Sequence, residues 1–132
     1  MLGELIGENS GERLVRRMLE ATPPTVEVTF EDNGKYFGVS AKGFGTYQSV
    51  IRPDGSIYGE GQGLITTAEG DAATWKGAGQ GKFGPNGAVS YRGILFFQMA
   101  TGKLARFTAC PAVFEYEVDS EGKTQTKLWE WK

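Results

Sequence analysis

The chain contains no histidine. That absence removes the usual general base near neutral pH, the imidazole metal ligand, and the Ser-His and Cys-His nucleophile pairs. Its one cysteine, Cys110, has no partner for an internal disulfide, which fits a reducing compartment. With a single thiol and no converging carboxylates in the pattern, neither a structural zinc nor a di-metal site is expected. Charge of one sign is scarce as well. Fourteen basic against sixteen acidic residues leave a formal net charge of -2, with no arginine or lysine cluster to meet nucleic acid. No stretch approaches the roughly 20 apolar residues of a membrane-spanning helix. Met1 to Ser10 carries Glu4 and Glu8 and lacks the basic start and apolar run of a secretory signal, so a cytoplasmic protein free of membrane is expected.

Glycine is what the chain has in abundance: 20 of 132 residues, enough chain for one domain with a real core. Several glycines close turns of one type. Pro53-Asp54-Gly55, Ala68-Glu69-Gly70 and Pro85-Asn86-Gly87 each place a left-handed glycine after two type I turn residues, with Ala100-Thr101-Gly102 as a fourth. This is the pattern of a three-residue hairpin loop ending in a bulge. Such loops set register, and register decides which side chains share a face. Closing the first between Arg52 and Ser56 pairs Ile51 with Ile57, Ser49 with Gly59 and Tyr47 with Gly61. The second, between Thr67 and Asp71, pairs Ile65 with Ala73, Gly63 with Trp75 and Gly61 with Gly77. The third, between Gly84 and Ala88, pairs Gly81 with Tyr91, Gly79 with Gly93 and Trp75 with Phe97. All of these are odd-numbered and mostly apolar or glycine, while Glu60, Gln62, Lys76, Gln80 and Arg92 fall on the even face. Period-two alternation shared by neighbouring strands predicts a sheet whose odd face lies on a core. The fourth turn would add Ala105, Phe107 and Ala109 to it.

Outside this meander, residues 1–10 read as a flexible tail and 11–132 as a single barrel domain. Residues 12–20 read as a strand, ended by Pro23-Pro24. Asn33-Gly34 is a strong two-residue hairpin signal and predicts Phe30 opposite Phe37 and Val28 opposite Val39. Beyond Cys110-Pro111 the apolar parity flips to Ala112, Phe114, Tyr116 and Val118, as a proline-bearing bulge would cause. The turn Ser120-Glu121-Gly122 then pairs Phe114 with Leu128 inside and Glu115 with Lys127 outside. The count is eight strands. The expected fold is all-β, an eight-stranded antiparallel meander closed into a barrel so that no edge is left bare; a two-sheet β-sandwich is the alternative.

The runs Gly59-Glu60-Gly61-Gln62-Gly63, Gly77-Ala78-Gly79-Gln80-Gly81-Lys82-Phe83 and Phe114-Glu115-Tyr116-Glu117-Val118, with Leu128-Trp129-Glu130-Trp131, resemble small bacterial and archaeal hypothetical proteins without an assigned activity. More distantly, the glycine-rich strands are similar to the barrels of allene oxide cyclases and dirigent proteins. That likeness implies a barrel and no more, because no catalytic motif of those cyclases can be placed here.

The inward glycines have two readings. Glycine permits sharp coiling and makes room for rings from the far wall, such as Phe30, Phe37, Phe114 or Tyr116. Alternatively Gly61, Gly77 and Gly79 form the bare wall of a cavity flanked by Trp75, Phe97, Tyr47 and Tyr91, with Tyr47, Ser49 and Tyr91 supplying hydrogen-bonding tips. Gly79-Gln80-Gly81-Lys82-Phe83-Gly84 matches the spacing of a dinucleotide fingerprint, but a turn and a strand follow it rather than a helix, so no cofactor is expected.

With no carboxylate or arginine on the inner face of the central strands, a binding module for a small apolar or aromatic ligand is favoured over an enzyme. A cofactor-free cyclase or isomerase and a structural or protein-interaction module are the alternatives. Strand 88–99 is apolar on both faces from Ile94 to Phe97, so its outer patch, including Ile94 and Phe96, is expected to make a homo-oligomer.

Overall fold

A computed structural model describes residues 2–132. Eight strands run in order: β1 (Leu2–Ala21), β2 (Pro24–Tyr36), β3 (Val39–Ile51), β4 (Ile57–Thr67), β5 (Ala72–Phe83), β6 (Val89–Ala100), β7 (Ala112–Val118) and β8 (Lys123–Trp131). Each is antiparallel to the next, and β8 returns to pair with β1, closing the barrel. No helix among the described residues is long and apolar enough to cross a membrane.

The glycine-ended turns reverse the chain where expected, although at Pro85-Asn86-Gly87 the asparagine, with φ of 57°, is left-handed as well as the glycine, in place of the expected type I residue. Gly55, Gly70, Gly87 and Gly122 all have positive φ. Main-chain bonds close the loops from Arg52 N to Ser56 O at 2.8 Å, Thr67 N to Asp71 O at 2.9 Å and Gly84 N to Ala88 O at 2.8 Å. The registers of β3, β4, β5 and β6 follow residue for residue: Tyr47 opposite Gly61, Gly61 opposite Gly77, Gly79 opposite Gly93 and Trp75 opposite Phe97. Beyond the proline, Phe114 pairs with Leu128 and Glu115 with Lys127 as expected.

Three expectations are corrected. Residues 2–10 are not a tail but the first half of β1, hydrogen-bonded to β8 from Leu2 opposite Trp131 to Glu12 opposite Lys123. Asn33-Gly34 is not a turn. β2 runs straight through it and reverses at Phe37-Gly38, with φ of 51° and 78°, so Val28 faces Tyr47 and Phe30 faces Gly45. Both registers match even positions of β2 with odd positions of β3, so the inward set is unchanged. The longer strand wins because it buries Tyr36 to 2% exposure, and because packing of the Phe37 ring on Phe107, 4.7 Å between centroids, offsets the left-handed backbone of a non-glycine residue.

The third correction concerns residues 103–109, expected as the start of a strand after the turn at Gly102 and found within a 3₁₀ helix, Gly102–Ala109. Ala105 and Ala109 are exposed, while Leu104 and Phe107 are buried. Three residues apart, these two share one face at three residues per turn. The helix lays Phe107 on Phe97, 3.9 Å between centroids and 13° between planes, and so stoppers one end of the barrel.

Arg106 latches this stopper. Its guanidinium forks onto the buried Glu130 carboxylate and lies over the Phe37 ring, 5.2 Å from the centroid. The paired guanidinium holds Glu130 below the usual carboxylate range. Arg106→Ala leaves Glu130 with Lys132 at 4.0 Å as its cation. We expect its carboxyl to titrate higher and amide exchange across 102–109 to quicken, as read by hydrogen-exchange mass spectrometry. Unchanged exchange would show that Leu104 and Phe107 hold the helix unaided.

The core falls into two clusters. Tyr36, Ile65, Leu95, Leu104, Phe107 and Leu128 gather under the 3₁₀ helix, and Ile57, Tyr91, Tyr116 and Val118 fill the opposite end. Outside, Phe44 and Phe96 are 57% and 51% exposed, while Leu64 and Ile94 on the same face are half-buried.

Candidate ligand site in the barrel lumen

Between the two clusters lies a cavity of about 90 Å³. One wall is main chain. Gly59, Gly61, Gly77 and Gly79 present no side chain to it, and Phe44 of β3, Glu60 and Leu64 of β4 and Ala78 of β5 also line it. Phe30, Trp75 and Phe114 supply apolar faces, and Tyr47, Tyr91 and Tyr116 line the end away from the helix. Phe30 sits 6.4 Å from Trp75 between ring centroids and 5.8 Å from both Tyr47 and Tyr116.

Both sequence readings of the glycines contribute. Many of them receive a ring: a Cβ at Gly79 would lie 2.8 Å from Phe114, and one at Gly63 2.5 Å from Trp75. What the rings leave unfilled is the cavity.

Six expected site residues line it: Tyr47, Gly61, Trp75, Gly77, Gly79 and Tyr91. Two do not. Ser49 stands behind Tyr91, their hydroxyls 2.7 Å apart, and positions that ring. Phe97 is withdrawn beneath the 3₁₀ helix by its stack on Phe107.

The opposite wall is polar and was not expected. Asn9 of β1, Asp32 and Tyr36 of β2, and Thr126 of β8 all line the cavity. Asp32 faces inward because it continues the even series Val26, Val28 and Phe30, and it lies between Gly11 of β1 and Gly43 of β3. It is 6% exposed. Burial, reinforced by neighbouring Glu31, pushes its carboxyl up to about 6. Asn9 Nδ2 donates to the Tyr36 hydroxyl at 2.7 Å, leaving the tyrosine proton free to be donated. Buried Asp32 Oδ1, Asn9 Oδ1 and Thr124 Oγ1 accept no hydrogen bond from any described protein group. Burial pushes Tyr47 up to about 12 and raises Tyr36, Tyr91 and Tyr116 as well, so all four remain neutral hydroxyls.

No protein-family model matches the chain, and no curated protein matches it. Solved structures share its fold. A protein with unknown function from Clostridium acetobutylicum superposes with a TM-score of 0.81 at 13% identity, covering 98% of each chain. A conserved protein of unknown function from Rhodopseudomonas palustris gives 0.79 at 14% identity, covering 98% of this chain and 97% of that one. At such identities the likeness is one of fold, and it agrees with the resemblance to small hypothetical barrel proteins. Neither match bears on the cyclase likeness.

In chemical terms the lumen has a bare aromatic side and a hydrogen-bonding side.

Proposed function

We propose that this protein binds a small molecule in its barrel lumen, the apolar or aromatic part of the ligand lying against Trp75 and the glycine-bare main chain of β4 and β5. The observation that carries this reading is the cavity itself, lined by Phe30, Trp75, Tyr47, Tyr91 and Tyr116. Size limits the ligand. A cavity of about 150 Å³ holds benzene, so one of about 90 Å³ takes a group smaller than a six-membered ring unless the tyrosines repack.

A panel of planar fragments (pyrrole, pyrazole, acetamide, acetate and acetamidine) titrated against the Trp75 indole N–H signal in NMR tests it. At least one fragment should give a saturable shift. Gly59→Ala should weaken that fragment several-fold in the folded protein, because the added methyl meets Tyr91 at 3.3 Å and Ser49 at 3.4 Å and narrows the lumen without a severe clash. No saturable shift from any member would overturn the reading.

One observation favours a cofactor-free isomerase as a second reading. A carboxyl pushed up to about 6 by burial, on the same strand face as the Tyr36 hydroxyl that lines the cavity with it, is suited to removing and returning a proton. It supports that chemistry only if a substrate is turned over and Asp32→Asn abolishes turnover.

A further inference from the structure

The polar wall is unbalanced. Its buried groups without a protein partner are oxygens: Oδ1 of the Asp32 carboxyl and Oδ1 of the Asn9 carboxamide. The Asn9 amide nitrogen is already committed to Tyr36. No lysine or arginine lines the cavity, and Asp32 is in no ion pair among the described residues. A buried carboxyl is held comfortably only by donors or by a cation, and here the chain supplies neither to Oδ1. The aromatic faces of Phe30 and Trp75 favour positive charge in the same space.

We propose that the lumen takes a small planar cation bearing N–H donors, of the amidinium or guanidinium class, with its donor edge on Asp32 and Asn9 and its face on Phe30 and Trp75. The proposal rests on the lumen being the ligand site, and it names the ligand chemistry. An anion is disfavoured twice over, by Asp32 and by the lack of any lining cation. A neutral amide gains one or two hydrogen bonds but no charge. An amidinium presents two N–H groups along one edge, and the acceptors available to them are the carboxylate of Asp32 on β2 and the carboxamide oxygen of Asn9, diagonal to it on β1.

The same geometry makes uptake depend on pH. The titratable groups acting on Asp32 are Glu31 beside it and the Tyr36 hydroxyl further along β2; opposite it β1 presents Gly11 and β3 presents Gly43, both uncharged. The cation needs Asp32 ionised, and the carboxyl is neutral below about 6. Binding therefore strengthens as pH rises through that value and levels off above it. A bound cation pulls the carboxyl back down, so uptake near this pH releases a proton.

Acetamidinium, acetamide and acetate, nearly equal in size and shape, test the proposal through the Trp75 signal. At pH 7.5 acetamidinium should bind about tenfold more tightly than acetamide, and acetate least. At pH 5.0 the affinity for acetamidinium should fall about tenfold while that for acetamide holds. Asp32→Asn should erase the preference for the cation at pH 7.5 and the dependence of its affinity on pH. Acetamide or acetate binding as well as acetamidinium at pH 7.5 overturns the cation proposal and leaves the lumen standing as a ligand site. Silence from all three and from the rest of the fragment panel overturns both. Should Asp32→Asn not fold, the pH comparison in the unaltered protein decides alone: a cation affinity that ignores pH rejects the proposal.

Discussion

Gly34→Ala is expected to destabilise the barrel by about 3 kcal/mol or more, a large share of the 5–15 kcal/mol that holds a typical domain. Where β1 crosses β2, a Cβ at Gly34 would lie 2.0 Å from the Glu8 carbonyl oxygen and 2.6 Å from the Asn9 Cα. Both are main-chain atoms in a paired strand. Neither can swing aside as a side-chain tip does, so relief requires the two strands to part and strips Asn9 from Tyr36. Gly59→Ala is the matched control. Its nearest neighbours are the Tyr91 ring at 3.3 Å and Ser49 Oγ at 3.4 Å, which yield by a few tenths of an ångström, so its cost should stay under about 1 kcal/mol. Urea denaturation of the two variants makes the comparison. If Gly34→Ala unfolds at the same urea concentration as Gly59→Ala, the close approach of β1 and β2 is wrong.

Asp32→Asn, by contrast, is expected to stabilise the protein at neutral and alkaline pH. Burial raises the carboxyl from 3.8 to about 6 in the folded state, so the native protein holds this proton more tightly than the unfolded chain does. Below 3.8 both states are protonated and the residue carries no electrostatic penalty. As pH rises from 3.8 to about 6 the unfolded chain has already released the proton while the folded one retains it, so stability declines. Above that range the folded state bears a buried charge at a full cost of about 3 kcal/mol. An amide never ionises. The variant should match the parent near pH 3.5 and exceed it at pH 8 by about 3 kcal/mol, roughly 10 °C in melting temperature for a chain of this size. A difference of the same size at both pH values would show that the effect is packing rather than charge. The gain also explains why an acid left here, where an amide is more stable, points to a use for the charge.

Much of the fold could be read directly. The turns at Gly55, Gly70, Gly87 and Gly122 are local devices, in which a few residues and one positive φ, or two at Asn86-Gly87, set the reversal and hence the pairing of long strands. Most of the glycine and aromatic half of the lumen, Gly61, Gly77, Gly79, Tyr47, Trp75 and Tyr91, followed from them by parity alone. The polar half was hidden by two errors that compounded. A turn placed at Asn33-Gly34 left Asp32 as a hairpin residue, and a tail assigned to residues 1–10 removed Asn9 from the barrel. One signal could have exposed both: Val26, Val28, Phe30, Asp32, Gly34 and Tyr36 form a single uninterrupted inward series, longer than the Asn-Gly reading permits.

The sequence by itself determined the strand-and-turn grammar, the inward parity of β3 to β6 and the glycine-bare wall, because these depend on backbone conformations that a few adjacent residues dictate. Tertiary structure alone decided that β1 reaches back to Leu2, that Phe37-Gly38 carries the reversal, and that residues 102–109 coil into a stopper. Those choices set local turn preference against burial of Tyr36, Leu104 and Phe107 among partners far away in the chain, and burial prevailed. The site of interest lies where the two kinds of information meet, a wall written into glycine spacing facing Asp32 and Asn9, which only barrel closure brings opposite it.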